Sequence, residues 1–168
     1  MGGEKTMKIV EVNSSEAETV RLLMQRAFKE YNNDCPPSGA MEETTDLIQT
    51  SIASREETAA VCYVEERAVG VVRVREEEDS LYFFRLSVPP EERGHGVGTA
   101  LIRWAEKKTV QLGKQTVYCK VRGSTPQNVK RYERLGYHIF DTYTVDKPEW
   151  PAFKVISMKK TVLVEQQR

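Results

Sequence analysis

Three glycines fall within five positions in the run Arg93-Gly94-His95-Gly96-Val97-Gly98, and chemistry concentrates there. Without Cβ atoms, backbone N–H groups can crowd against a ligand. A short apolar run, residues 81–88, precedes the glycines, and a helical pattern, 99–112, follows them. The free N–H groups and the dipole of a helix start favour an anion. A strand, a glycine-rich turn and a helix start therefore make a phosphate cradle. Two common cradles do not fit. A P-loop needs G-x-x-x-x-G-K-[ST], and no Gly-Lys-Ser/Thr run follows. A G-x-G-x-x-G fingerprint begun at Gly96 meets Leu101 at its third glycine. The pattern that fits is R-x-x-G-x-G, at Arg93, Gly96 and Gly98. Other reactive groups are sparse. Cys35, Cys62 and Cys119 are widely spaced, without zinc-ligand spacing. Cys119 shares a strand face with Val117 and Val121 and reads as a buried thiol, not a nucleophile. The two histidines, His95 and His138, make a His-based metal site unexpected.

A second run, Pro126-Gln127-Asn128-Val129-Lys130-Arg131-Tyr132-Glu133-Arg134-Leu135-Gly136-Tyr137, has the form P-x-N-x-x-x-Y-E-R-L-G-Y. On these two blocks, in this order and separation, the chain resembles the GNAT family of N-acetyltransferases. The resemblance extends over residues 8–159, and 86–137 carries its specific motifs. It implies an α/β fold of one N-acetyltransferase-like domain across residues 1–168. The sheet would be mixed and mostly antiparallel, with a splayed parallel strand pair flanked by helices. Acetyl-CoA would be the co-substrate, with no metal and no covalent enzyme intermediate. Its pyrophosphate would sit on Arg93, Gly94, His95, Gly96, Val97, Gly98 and Thr99. Its pantetheine arm would run along Leu86, Ser87 and Val88, with Asn128 and Arg131 on the other wall. A primary amine would attack the thioester directly. The Val88 N–H would polarise the carbonyl, and the Tyr132 hydroxyl would hand its proton to the departing thiolate.

The chain departs from that family in two places. Many relatives place an asparagine seven residues before the tyrosine; here that position is Thr125, and Asn128 lies four before it. Some carry a strand glutamate where this chain reads Tyr82-Phe83-Phe84-Arg85. A base would then come from Glu30, Asp34 or Glu43, or act through water, or the amine would arrive already neutral. The missing carboxylate keeps a second reading open, a non-catalytic acyl-CoA-binding sensor. A third is a nucleotide-binding module unrelated to coenzyme A.

The elements that must position these groups follow from periodicity. Residues 8–12 read as a strand. Ser15-x-x-Glu18 forms a capping-box pattern ahead of a helix over 16–31. The run 32–39 breaks it, and a second helix covers 42–53 with Leu47, Ile48 and Ile52 inward. Strands over 58–65, 68–75 and 81–88 read as an antiparallel meander, with the acidic run 76–79 at a hairpin tip. A strand over 116–121 after the 99–112 helix implies parallel pairing with 81–88. A helix then starts at Pro126 behind a hydroxyl cap. Two closing strands cover 137–144 and 152–159, and residues 1–7 and 160–168 are expected to fray.

The length, 168 residues, suits one domain with a real core. Lys+Arg and Asp+Glu are both 25, so no global field selects nucleic acid. No apolar run is long enough to span a membrane. The odd, scattered cysteines point to free thiols in the cytoplasm. Residues 30–46 hold Glu30, Asp34, Glu42, Glu43 and Asp46 and no Lys or Arg. Among relatives this stretch lines the acceptor, so a cationic acceptor is expected, beside the plainer reading of a solvated acidic loop. Relatives commonly pair, so the resemblance allows a homodimer.

Overall fold

The computed structural model describes residues 6–29 and 39–162. Its elements are β1 (Met7–Val12), α1 (Ala17–Phe28), α2 (Thr45–Ala53), β2 (Thr58–Val64), β3 (Arg67–Glu76), β4 (Ser80–Ser87), α3 (Val97–Gln111), β5 (Thr116–Arg122), α4 (Pro126–Arg134), β6 (His138–Val145) and β7 (Phe153–Thr161). The strands form one sheet in the order β1-β2-β3-β4-β5-β7-β6. Neighbouring strands are antiparallel except β4 and β5, which are parallel. The meander and the crossover are therefore as the sequence implies.

Strand alternation divides the core into two layers. Ala59, Val61 and Val71 point to one face, where Val20, Leu23 and Met24 of α1 and Ile48 and Ile52 of α2 cover them. Ala60, Val72, Phe83, Val117 and Cys119 point to the other, beneath Leu101, Ile102 and Ala105 of α3. From α4, Val129 and Tyr132 pack on that second layer, with Leu135 just beyond the helix.

Several local details differ from the expectation. The Asn13 side chain, not Ser15, caps the first turn: it accepts from the Ser15 N–H at 2.9 Å, ahead of a 3-10 turn over Ser14–Glu16. Glu18 faces Arg21 instead, at 3.8 Å. The second helix begins later, capped by Thr44, and Leu47 is 60% exposed. The Thr125 hydroxyl donates back to the Arg122 carbonyl at 2.9 Å and caps nothing. Of the tails expected to fray, residues 1–5 and 163–168 lie outside the described residues, and the described parts are ordered into the sheet. Met7 opens β1, β7 runs to Thr161, and the buried Val162 donates to Gln115. Among the described residues no helix is long and apolar enough to cross a membrane.

Candidate active site

The site begins where β4 and β5 part. They pair only at Ser80 with Thr116, Leu81 with Val117 and Tyr82 with Tyr118. Beyond that rung β4 continues to Ser87 along β3, and β5 continues to Arg122 along β7. Their facing edges are thus rows of N–H and C=O groups without a strand partner. A bulge follows the parting on β4. On β3, Val71 and Arg73 are two steps apart, but their partners Ser87 and Phe84 are three apart. The extra residue bends β4, and Arg85 takes a left-handed φ of +52°. The Ser87 hydroxyl braces the bend by donating to the Arg85 carbonyl at 2.8 Å.

A cavity of about 1280 Å³ occupies the gap. Consecutive residues of both strands line it: Tyr82, Phe83, Phe84 on β4, and Cys119, Lys120, Val121, Arg122 on β5. Because successive side chains point to opposite faces, the cavity passes through the sheet. One mouth opens on the α3–α4 side and the other on the α1–α2 side.

The glycine loop forms the first mouth. Gly94 and Gly96 have φ of +86° and +82°. Gly96 is the N-cap of α3 and offers no side-chain cap, so the first N–H groups of the helix have no intrahelical acceptor. Gly98 needs its missing side chain for another reason. A Cβ there would lie 2.1 Å from Nη2 of Arg131, so the guanidinium of α4 rests on the start of α3. Arg93 ties the loop down: Nε donates to the Val88 carbonyl at 2.9 Å and Nη2 to the Ala27 carbonyl at 3.4 Å.

Of the residues assigned from the sequence, Leu86, Val88, Arg93, Gly94, Gly96, Val97, Gly98, Thr99, Asn128, Arg131 and Tyr132 line this cavity. Ser87 and His95 do not. Ser87 is buried in the bulge, and His95 is exposed. The half-buried Tyr132 lies with its ring centroid 6.0 Å from Phe83 and 5.9 Å from Tyr137. Its neighbour Tyr137 is differently employed: its hydroxyl donates to Glu106 at 2.8 Å. Burial, and then the Glu106 charge, push the Tyr137 pKa far above the ordinary phenol value. Cys119 faces the cavity, but burial pushes its thiol up to about 12, so it stays protonated at neutral pH. Cys62 is also buried and free, and Cys35 lies outside the described residues.

The second mouth holds a cluster that sequence reasoning missed. Both Nε and Nη2 of the buried Arg73 bind the buried Glu57, and Nη1 binds Glu43. Glu43 also accepts from Arg85 Nε at 3.0 Å. Burial pulls the Arg73 pKa down, and Glu57 and Glu43 more than offset it, so the guanidinium is held charged. A lone Arg in the valine run of β3 was the only signal, and it does not name partners far away in sequence. Of the base candidates, Glu43 is thus ion-paired, and Glu30 and Asp34 lie outside the described residues. Gly70 was also missed. A Cβ there would lie 2.7 Å from Val97 Cγ1, so this glycine seats the start of α3 on the sheet. A glycine inside a strand run is the signal for such an approach.

The model of the acetyltransferase (GNAT) family matches residues 24–137. The chain belongs to that family. It is 34% identical over 64 residues to an acetyltransferase of Pectobacterium atrosepticum. That stretch is 38% of this chain and 45% of the relative, so the chain spans less than half the length of the curated relative it matches. YncA of Salmonella typhimurium, solved with its cofactor acetyl-CoA, superposes with a TM-score of 0.75 at 12% identity, covering 97% of this chain and 98% of that one. The PaiA N-acetyltransferase of Thermoplasma acidophilum, solved with coenzyme A, gives 0.75 at 15%, covering 93% and 99%. At these identities the likeness to the other GNAT structures is one of fold.

Proposed function

We propose that this GNAT protein is an acetyl-CoA-dependent N-acetyltransferase that moves the acetyl group to a primary amine by direct attack. The observation that carries the reading is the through-sheet cavity, with open strand edges along its walls and the glycine loop at one mouth. The donor set fits the co-substrate: a diphosphate suits the α3 start beside Arg131, and amides suit the open edges. Bound acetyl-CoA would supply the thioester acyl group. The N–H groups of Val97, Gly98 and Thr99, with Arg131, hold the diphosphate. The open edge at Leu86–Val88 orients the arm, and the Val88 N–H polarises the carbonyl. Tyr132 supplies the proton for the leaving sulfur. The solved neighbours that carry acetyl-CoA or coenzyme A support the reading.

Calorimetry on Gly98→Asp tests it. Gly98 has no left-handed φ, and only the Arg131 side chain must move, so the fold survives. The new carboxylate pairs with Arg131 and repels phosphate. Acetyl-CoA affinity is expected to fall at least about tenfold. Unchanged affinity in the folded variant would remove the loop from the site. A second reading, the acyl-CoA sensor, draws on one observation: the cavity carboxylates Glu43 and Glu57 are both ion-paired. Thiol release with any amine of a broad panel decides for the enzyme; tight binding without transfer decides for the sensor.

A further inference from the structure

The α1–α2 mouth carries more positive charge than its carboxylates neutralise. Among the described residues Glu43 and Glu57 are the acids lining the cavity, and Arg73 binds both. Arg85 shares Glu43. Arg75 and Lys120 line the same mouth, both exposed, and neither has a carboxylate within ion-pair distance among the described residues. Their heads lie over aromatic rings instead. The Arg75 guanidinium is 5.3 Å from the Phe84 centroid. The Lys120 ammonium is 5.6 Å from that of Tyr82 and 5.5 Å from that of Tyr143. Glu77, just past the end of β3, accepts from the Tyr118 hydroxyl at 2.6 and 2.7 Å.

The position of these two cations matters as much as their number. Arg75 is opposite Tyr82 in the β3–β4 ladder, and Tyr82 is opposite Tyr118 on the last rung before β4 and β5 part. Lys120 lies two residues past that rung on β5. Both therefore flank the vertex of the splay on one face, while Tyr132 packs on Phe83 across the sheet. A ring holds the flat or alkyl side of a cation and leaves its N–H groups available to an anion. Resting on the acetyl-transfer reading, we propose that the acceptor is an amine that also carries a carboxylate, seated on Arg75 and Lys120 with its amine toward the thioester. This replaces the cationic acceptor expected from the acidic segment. Glu43 is the one described acid of that segment at the cavity, and arginines already neutralise it.

The test compares amino acids with their decarboxylated amines. Phenylalanine is paired with phenethylamine and leucine with isopentylamine, beside spermidine and phosphoethanolamine. Thiol release from acetyl-CoA gives kcat/KM. Calorimetry of the N-acetylated products on the coenzyme A-loaded protein gives a readout independent of turnover. Acetyl-CoA binding is measured first. The acid-bearing partner of each pair is expected to be favoured at least about tenfold, and Arg75→Ala and Lys120→Ala to bring the ratio near one. Absence of acetyl-CoA binding overturns the transfer reading and this proposal together. Acetyl-CoA binding with a preference for spermidine or the decarboxylated amines overturns this proposal alone. So does silence of every pair in both turnover and product binding. A preference for phosphoethanolamine overturns the carboxylate assignment, and an acid preference that survives both substitutions overturns its seat.

Discussion

The ring centroids of Tyr132, on the cavity wall, and Tyr137, in the core behind it, stand 5.9 Å apart, and their surroundings give them different work. Tyr137 is buried and its hydroxyl is tied to Glu106, which Lys160 also contacts at 3.3 Å. Such a phenol is a structural donor that does not yield its proton. Tyr132 is half-buried, lines the cavity and belongs to α4, which also carries Arg131 to the glycine loop. A thiol has a reference pKa of about 8.5 and a phenol about 10, so a tyrosine remains protonated at neutral pH and can still donate as charge builds on sulfur. Tyr132→Phe is expected to lower kcat about ten- to a thousandfold, with kcat/KM falling in step and acetyl-CoA affinity kept. A Phe variant with full kcat, measured where chemistry limits turnover, makes Tyr132 a packing residue. The motif singled out Tyr132, but the contrast with Tyr137 needed Glu106, which comes from a helix remote in sequence.

At the scale of the element, the start of α3 is held from three sides. Gly96 turns the chain in, Arg131 rests on Gly98, and Gly70 of β3 lets Val97 and Leu101 approach. Gly70 makes the helix start a property of the sheet. A Cβ at Gly70 would meet Val97 Cγ1 at 2.7 Å, Leu101 Cδ1 at 3.1 Å and the Ser87 carbonyl at 3.3 Å. Gly70→Val must push α3 outward. The strain is expected to cost about 1–3 kcal/mol, a Tm drop on the order of 5 °C, with a loss of acetyl-CoA affinity beside it. Calorimetry that finds Tm and affinity both unchanged would show that α3 does not depend on this approach. The bulge on β4 lies on the other wall, along the edge that β5 leaves open.

At the scale of the whole molecule, the buried Cys119 and Tyr137 and the half-buried Tyr118 bear on the response to alkaline pH. Burial pushes the Cys119 thiol up to about 12. Burial and the Glu77 acceptor raise Tyr118, and burial and Glu106 raise Tyr137. In the unfolded chain a cysteine ionises near about 8.5 and a tyrosine near about 10. Above those values the unfolded chain has lost protons that the native one still holds, so stability falls as pH rises. The contribution is fully present below about pH 8 and is withdrawn through the alkaline range. The urea midpoint is expected to drop steadily between about pH 8 and about pH 11. A flat midpoint over that interval would contradict the burial of these groups.

The sequence by itself determined the order of elements, the antiparallel meander, the parallel crossover pair and the two blocks that form the first mouth. These are local signals: hydrophobic period, glycine spacing and helix punctuation act over a few residues. Arg93, Gly96 and Gly98 stood out through glycine spacing and Tyr132 through the resemblance of its block to the family, and all four line the cavity. Only the tertiary structure decided the second mouth. Arg73, Glu57, Glu43 and Arg85 come from β3, the turn before β2, the approach to α2 and the bulge of β4, and no spacing rule joins them. Counted along the chain, the acidic segment reads as a wall for a cationic acceptor, and its Glu30 and Asp34 lie outside the described residues. Once folded, Glu43 is neutralised by two arginines, while Arg75 and Lys120 are left over aromatic rings. Charge along a chain is a sum, but the field in a cavity depends on which charges the fold pairs.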